Sequence, residues 1–156
     1  MIKLKQLLNF EFIPLSRDIA LLVLRLWFGL TLLTVHGWAK LSNFSETAPN
    51  FPNLFGLGGS TNLLLAIFVE VVGSLLIITG VLTRLAAALG IVTMAVAFFM
   101  VHHAALTGEH SGELAYTYLG AFLVLFIAGG GRYSIDAKVI GPSAYSVSPA
   151  PEANNI

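Results

Sequence analysis

No cysteine occurs anywhere in the chain. That excludes disulfides, thiolate metal sites and dithiol redox chemistry of the Cys-x-x-Cys kind. Charge is nearly as scarce: of 156 residues only 10% are Asp, Glu, Lys or Arg, against about 25% in ordinary soluble domains. Sixteen such side chains are too few to solvate a globule of this size. Eight basic and eight acidic residues cancel, so the electrostatic footprint of a nucleic-acid binder is missing too. What fills the space is apolar, 56% of the chain. A surface that faces lipid is the reading that reconciles these numbers.

A helix needs roughly 20 mostly apolar residues to cross a hydrocarbon core of about 30 Å. Four segments meet or approach that length, at about 19–38, 63–82, 85–106 and 114–130. The expected fold is therefore all-α: an integral membrane, antiparallel four-helix transmembrane bundle. The second and third segments are joined at Thr83-Arg84, a tight hairpin. The long interruption from Ser42 to Asn62 reads as a partly ordered cap, with Phe44, Phe51 and Phe55 at the membrane interface.

Residues 1–17 alternate Lys and Gln with Ile, Leu and Phe near the start, the pattern of an interfacial amphipathic helix. Pro14, Arg17 and Asp18 interrupt any signal-peptide core, and no small-residue cleavage site follows, so this segment is expected to be retained. Residues 18–138 form the membrane domain. Residues 139–156, with Pro142, Pro149 and Pro151 and no periodicity, are expected to be a disordered tail. Lys3, Lys5, Arg17, Arg84, Arg132 and Lys138 lie on the side of both termini, and only Lys40 lies opposite. The positive-inside rule then puts both termini in the cytoplasm.

Ionisable side chains inside a span cost a few kcal/mol, so they normally face the bundle interior and find partners. Arg25, Gly29, Leu32, His36 and Lys40 are spaced by 4, 3, 4 and 4 residues and form one stripe. Glu70, Gly73, Ile77, Gly80 and Arg84 form a second, and Glu113, Tyr116 or Thr117, Gly120 and Val124 a third. With a rise of about 1.5 Å per residue, His36 lies about 25 Å from the inner end of its span and Glu70 about 18 Å, with Arg25 only about 9 Å up. His102, His103 and Glu113 fall near the level of His36. Two polar clusters are expected: an outer one of His and Glu, and an inner one of Arg25, Arg84, Arg132 and Asp136.

Leu24-Arg25-Leu26, His36-Gly37-Trp38-Ala39-Lys40-Leu41, Glu70-Val71-Val72-Gly73, Gly80-Val81-Leu82-Thr83-Arg84 and Gly131-Arg132-Tyr133-Ser134-Ile135-Asp136 follow one another in this order. In that order, over about residues 19–137, the chain resembles the DoxX family. The resemblance implies a four-helix protein of the bacterial inner (plasma) membrane. It also implies a link to membrane redox systems, since the family name derives from association with a terminal quinol oxidase and a thiosulfate:quinone oxidoreductase. The usual Gly-Pro-Gly before the Arg-Tyr-Ser stretch is Gly129-Gly130-Gly131 here, a change expected to alter only how the last span ends.

The leading functional expectation is a component of a quinone-linked redox system with a polar site in the outer half. Glu70, His36, His102 and His103 are its candidate proton-exchanging residues. His36, Glu70, Glu113, Tyr116 and Trp38 are the candidates for contact with a quinone. Of the adjacent pair His102 and His103, one is expected to aim at the bundle centre, because neighbours on a helix point about 100° apart. Tyr118 and Trp27 are further candidates for an aromatic slot, against the plainer reading of an interfacial belt. A metal reading would draw on His36, Glu70, one of the paired histidines and Glu113; no His-x-x-x-His spacing supports it, and no metal site is assigned.

Arg25, Arg84, Arg132 and Asp136 are read as topology and bundle-closing residues, and Lys40 as a boundary residue. Glu70 is read either as a proton-carrying group or as the partner of His36 or Arg25. Expected partners are the lipid bilayer, redox subunits that supply electrons, and further copies of the chain; nucleic acid is not among them. The competing expectations are a non-catalytic scaffold or assembly subunit whose buried charges lock the helices, and a small proton-coupled transporter.

Overall fold

A computed structural model describes residues 4–10, 13 and 16–141. Among these residues every regular element is helical and no strand occurs. A short helix, α1, covers Leu4–Leu8 inside the segment expected to lie on the membrane surface. The expected tail from residue 142 onward lies outside the described residues.

The first long helix, α2, runs Arg17–Ser42. Ser16 starts it, its hydroxyl accepting from the Ile19 backbone N–H at 3.2 Å, and Asp18 sits in the first turn where the helix dipole favours an acid. A short helix, α3 (Phe44–Thr47), and a 3₁₀ turn (Ala48–Asn50) lead into the loop before α4 (Gly59–Thr79). This stretch is an ordered cap: Phe44 and Phe51 turn inward against Ala48, Leu63 and Ile67, whereas Phe55 is exposed. Asn62 is buried and donates from Nδ2 to the carbonyls of Leu54 and Gly58, tying the loop to α4.

Gly80 ends α4 in the left-handed conformation (φ 72°, ψ 36°), with its own N–H and that of Val81 both reaching the Leu76 carbonyl. A Cβ there would collide with the Arg25 guanidinium and the Ser134 backbone, so only glycine fits. The hairpin therefore occupies Gly80 to Leu82, and Thr83 and Arg84 already belong to α5 (Thr83–Val101). After a loop comes α6 (Glu113–Ala128), which Gly129 ends at φ 74°. A last short helix, α7 (Ile135–Ile140), carries regular structure past the boundary expected at residue 138.

Among the described residues three helices, α2, α4 and α5, are long and apolar enough to cross a membrane; α6 is apolar but has 16 residues. The pair α5 and α6 packs most extensively, α2 lies on α4 and also touches α6, and α5 lies on α4. The main core joins Leu21 and Leu32 of α2, Ile77 of α4, Met94 and Phe98 of α5, and Tyr118, Phe122 and Leu125 of α6. Around it the surface is apolar, with Trp27 71% and Ile127 72% exposed. A patch of that extent around the long helices suits acyl chains and not water.

Candidate functional site

The stripe read on α2 does face inward: Arg25, Gly29 and Leu32 are buried, His36 and Lys40 partly so. So does the stripe from Glu70 to Gly80 on α4, although Arg84 beyond it is exposed and donates to the Ile127 carbonyl at 3.0 Å. The stripe expected on α6 points the other way. Glu113, Tyr116, Gly120 and Val124 are exposed, and the buried face is Ala115, Tyr118, Ala121, Phe122 and Leu125. On so uniformly apolar a helix the few polar residues mark the rim, and close packing decides which side turns inward.

At the end nearest the start of α2, the polar groups are tied to backbone. Asp136 accepts three hydrogen bonds of 2.8 Å, from the Leu82 and Thr83 N–H groups and from the Thr83 hydroxyl, and so caps α5. Its own N–H donates to the Gly80 carbonyl at 2.9 Å. Arg25, fully buried, donates to the Tyr133 carbonyl at 2.8 Å. Asp18 accepts from the Arg132 N–H, and Ser134 caps α7 by accepting from Ala137 N–H. Of the inner cluster read from the sequence, Arg25 and Asp136 take part in a network of side chain-to-backbone bonds that joins α2, the hairpin and the Gly131–Asp136 stretch, whereas the Arg84 and Arg132 side chains are exposed and Arg132 joins only through its backbone N–H.

The opposite end is organised around a cavity of about 260 Å³ lined by His36, Glu70, His102, Ser111 and Tyr118, with Leu32, Met94 and Ala97. Three stretches of π-helix meet there. Leu32–Gly37 of α2 carries Leu32 and His36, Val69–Gly73 of α4 carries Glu70, and Ala97–Val101 closing α5 carries Ala97 and leads into His102. Wide π turns are rare in helices and recur at functional sites, because they break the regular ladder to re-aim side chains. Gly37 brings α2 against α4 at this level; a Cβ on it would stand 2.9 Å from the Glu70 carbonyl.

Glu70 is buried, and both its oxygens are held by Lys40 Nζ, at 2.6 and 2.7 Å. The expected partner, His36 or Arg25, is thus replaced by Lys40, whose flexible stem turns back into the bundle instead of toward the boundary. The His36 ring meets the Tyr118 ring edge-on, with centroids 5.9 Å apart. No hydrogen bond joins a His36 ring nitrogen or the Tyr118 hydroxyl to another described residue. His102 Nδ1 lies 3.0 Å from the His110 carbonyl. Since a carbonyl only accepts, Nδ1 carries the proton, and in the neutral ring Nε2 is an acceptor.

The adjacent histidines are separated by the end of the helix and not by a helical 100° step. α5 stops at Val101; His103 and Ala104 both take positive φ, and His103 is exposed and does not line the cavity. Three further candidates also lie outside it. Trp38 is 62% exposed, Tyr116 is 53% exposed with its ring against Phe98, and Glu113 is exposed at the first turn of α6. Among the described residues no three His, Asp or Glu side chains come together as metal ligands. Lys40 and Ser111 are the residues that sequence reasoning did not place at the site. The Lys40 signal was present: it ends the α2 stripe that carries His36.

The DoxX family profile matches residues 20–103, more than half of the chain and the part that carries His36, Lys40, Glu70 and His102. An uncharacterized protein of Haemophilus influenzae is 38% identical over 111 residues, which cover 67% of this chain and 79% of the relative. No solved structure matches the chain significantly. On the family match and on this relative, the chain belongs to the DoxX family of membrane proteins.

Proposed function

We propose that this protein is a component of a quinone-linked redox system in the bacterial inner membrane, with its ligand site in the cavity of His36, Glu70, His102 and Tyr118. In this reading α2, α4, α5 and α6 all cross the membrane, both termini face the cytoplasm, and the cavity lies in the outer half. The observation that carries the reading is the convergence of three π-helical stretches on one cavity whose walls hold hydrogen-bonding groups without protein partners. The His36 ring and the Tyr118 hydroxyl face that space without a bond to the protein and are open to a hydrogen-bonding ligand. A quinone ring fits the donor set: two carbonyl acceptors for the His36 N–H and the Tyr118 hydroxyl, and an apolar rim for Leu32, Met94 and Ala97.

A bound quinone would supply two-electron, two-proton chemistry, with electrons from a partner subunit. The chain's own part is to orient the ring and handle protons. His36 and Tyr118 donate to the ring oxygens. His102, its Nδ1 proton held by the His110 carbonyl, presents Nε2 as a proton acceptor. Glu70 is the carboxylate beside them, held at both oxygens by Lys40. Glu113, Tyr116, Trp38 and His103 have no role in this reading.

A scaffold reading is favoured by one observation: the Glu70 carboxylate is already satisfied by Lys40. Glu70→Gln separates the two. The redox reading expects a variant that stays folded in lipid nanodiscs and loses quinone binding by about tenfold or more, a difference of about 1.4 kcal/mol. The scaffold reading expects a collapse in stability with no change in the ligand response of the folded fraction.

A further inference from the structure

Beside the polar cavity lies a second one, also about 260 Å³, between α4, α5 and the loop at Phe51–Leu57. Apart from Asn62, Thr93 and Glu70 its lining is hydrocarbon, and the Asn62 amide nitrogen is already bonded to backbone. The two cavities share Glu70, Met94 and Ala97. Each alone falls below the roughly 300–1,000 Å³ usual for small-molecule sites, and the two together fall within that range. Leu65 and Val92 line the apolar cavity and are exposed on the outer faces of α4 and α5, so it opens toward lipid.

We infer that the two cavities form one site for a single-tailed amphiphile, its hydrogen-bonding head among His36, Tyr118 and His102 and its hydrocarbon tail in the chamber of Leu65, Ala66, Val92 and Val96. The head half rests on the quinone reading above; the tail half does not. A membrane-dissolved ligand approaching from lipid meets the apolar chamber first and leaves its tail there. A tail-less ring fills only half of the space.

The test compares a benzoquinone with a ten-carbon tail and the same ring without it, binding to the full chain in nanodiscs, with concentrations referred to the lipid phase. The tail should tighten binding about tenfold or more through close packing against the chamber walls, since lipid is as apolar as the chamber and transfer out of water cancels. Ala66→Phe, which fills the chamber, should cut that gain to about threefold or less, because the walls then have no room to pack around the tail. In the wild-type chain, a photoreactive diazirine at the tail end of the quinone and of a fatty acid of equal length should label Ala66, Met94 and Val96, which line the chamber away from the lipid-exposed Leu65 and Val92.

Equal binding of tailed and tail-less rings overturns the inference and leaves the quinone reading standing. A tail gain that survives in folded Ala66→Phe, or labels scattered over the lipid-facing sides of α2 and α6, also overturns it. Failure of both quinones to bind, with the fatty acid still labelling those three residues, refutes the quinone reading and upholds the tail chamber. No labelling by either probe overturns the inference.

Discussion

The two ends of the helix cluster use polar residues in opposite ways. At the end nearest the start of α2, Asp136, Arg25, Asp18 and Ser134 spend their hydrogen-bonding capacity on backbone groups of other segments. At the capped end, His36, Tyr118 and Glu70 stand around a cavity, and the contacts these three side chains make are with other side chains, while His102 and Ser111 beside them hold backbone carbonyls. A group that bonds backbone fixes where a segment lies. A group that faces a void is available to something that comes and goes. The difference suggests that one end holds the structure and the other does the work.

The largest expected effect falls on the ion pair that bridges the two roles. Lys40→Met leaves the Glu70 carboxylate buried without its cation and should cost about 3–5 kcal/mol of stability. Denaturation in mixed micelles would read this as a clear loss. Lys40→Met combined with Glu70→Met should recover most of it, because an apolar pair removes the stranded charge. If the single variant unfolds like the wild type, Lys40 does not hold Glu70 in the membrane.

Next is the capping carboxylate. Asp136→Ala removes three hydrogen bonds and leaves two backbone N–H groups at the start of α5 without it, a loss of about 2–3 kcal/mol. Quinone affinity of the folded fraction should stay within about twofold, since nothing at that end touches the cavity. An equal loss of affinity and stability would mean that the two ends are one coupled unit, and the contrast would fail. Gly37→Ala should behave in the reverse sense. Its Cβ pushes α2 away from the Glu70 carbonyl, with a modest overpacking cost of about 1–3 kcal/mol and a disproportionate loss of ligand affinity. Unchanged affinity in that variant would show that the π-helical contact does not shape the site.

Much of this layout is legible in the sequence, and the parts that are not have physical reasons. The α2 stripe from Arg25 to Lys40 keeps helical spacing over sixteen residues, so its inward face can be read directly. The same method failed on α6, where apolar residues surround the helix and Glu113 and Tyr116 mark the rim and not the interior. The three π-helical stretches leave no mark in a 3.6-residue pattern, yet they set where His36, Glu70 and His102 point. The Lys40–Glu70 pair joins residues 30 apart on different helices, and Lys40 reads as a boundary residue because its position along the helix does not say which way a long, flexible stem bends. The DoxX motifs carry residues of both ends; which of them bond backbone and which line the cavity depends on the packing of the helices.

The smallest effects sharpen the comparison most, because they fall on neighbours in the chain. His102 lines the cavity and is held by the His110 carbonyl, whereas His103 is exposed with φ 50°, a left-handed conformation that glycine adopts without strain. His102→Ala should weaken quinone binding several-fold, within about 1 kcal/mol, by removing one hydrogen-bonding group. His103→Gly should leave binding unchanged and alter stability by no more than about 0.5–1 kcal/mol, in the stabilising direction if relief of the left-handed strain outweighs the added chain entropy. Titrating the two variants side by side with one quinone in the same nanodiscs measures only the turn at the end of α5. Equal losses from both would place the two imidazoles in one site and contradict the turn, and a loss from His103→Gly alone would assign the ligand to the outside of the cap.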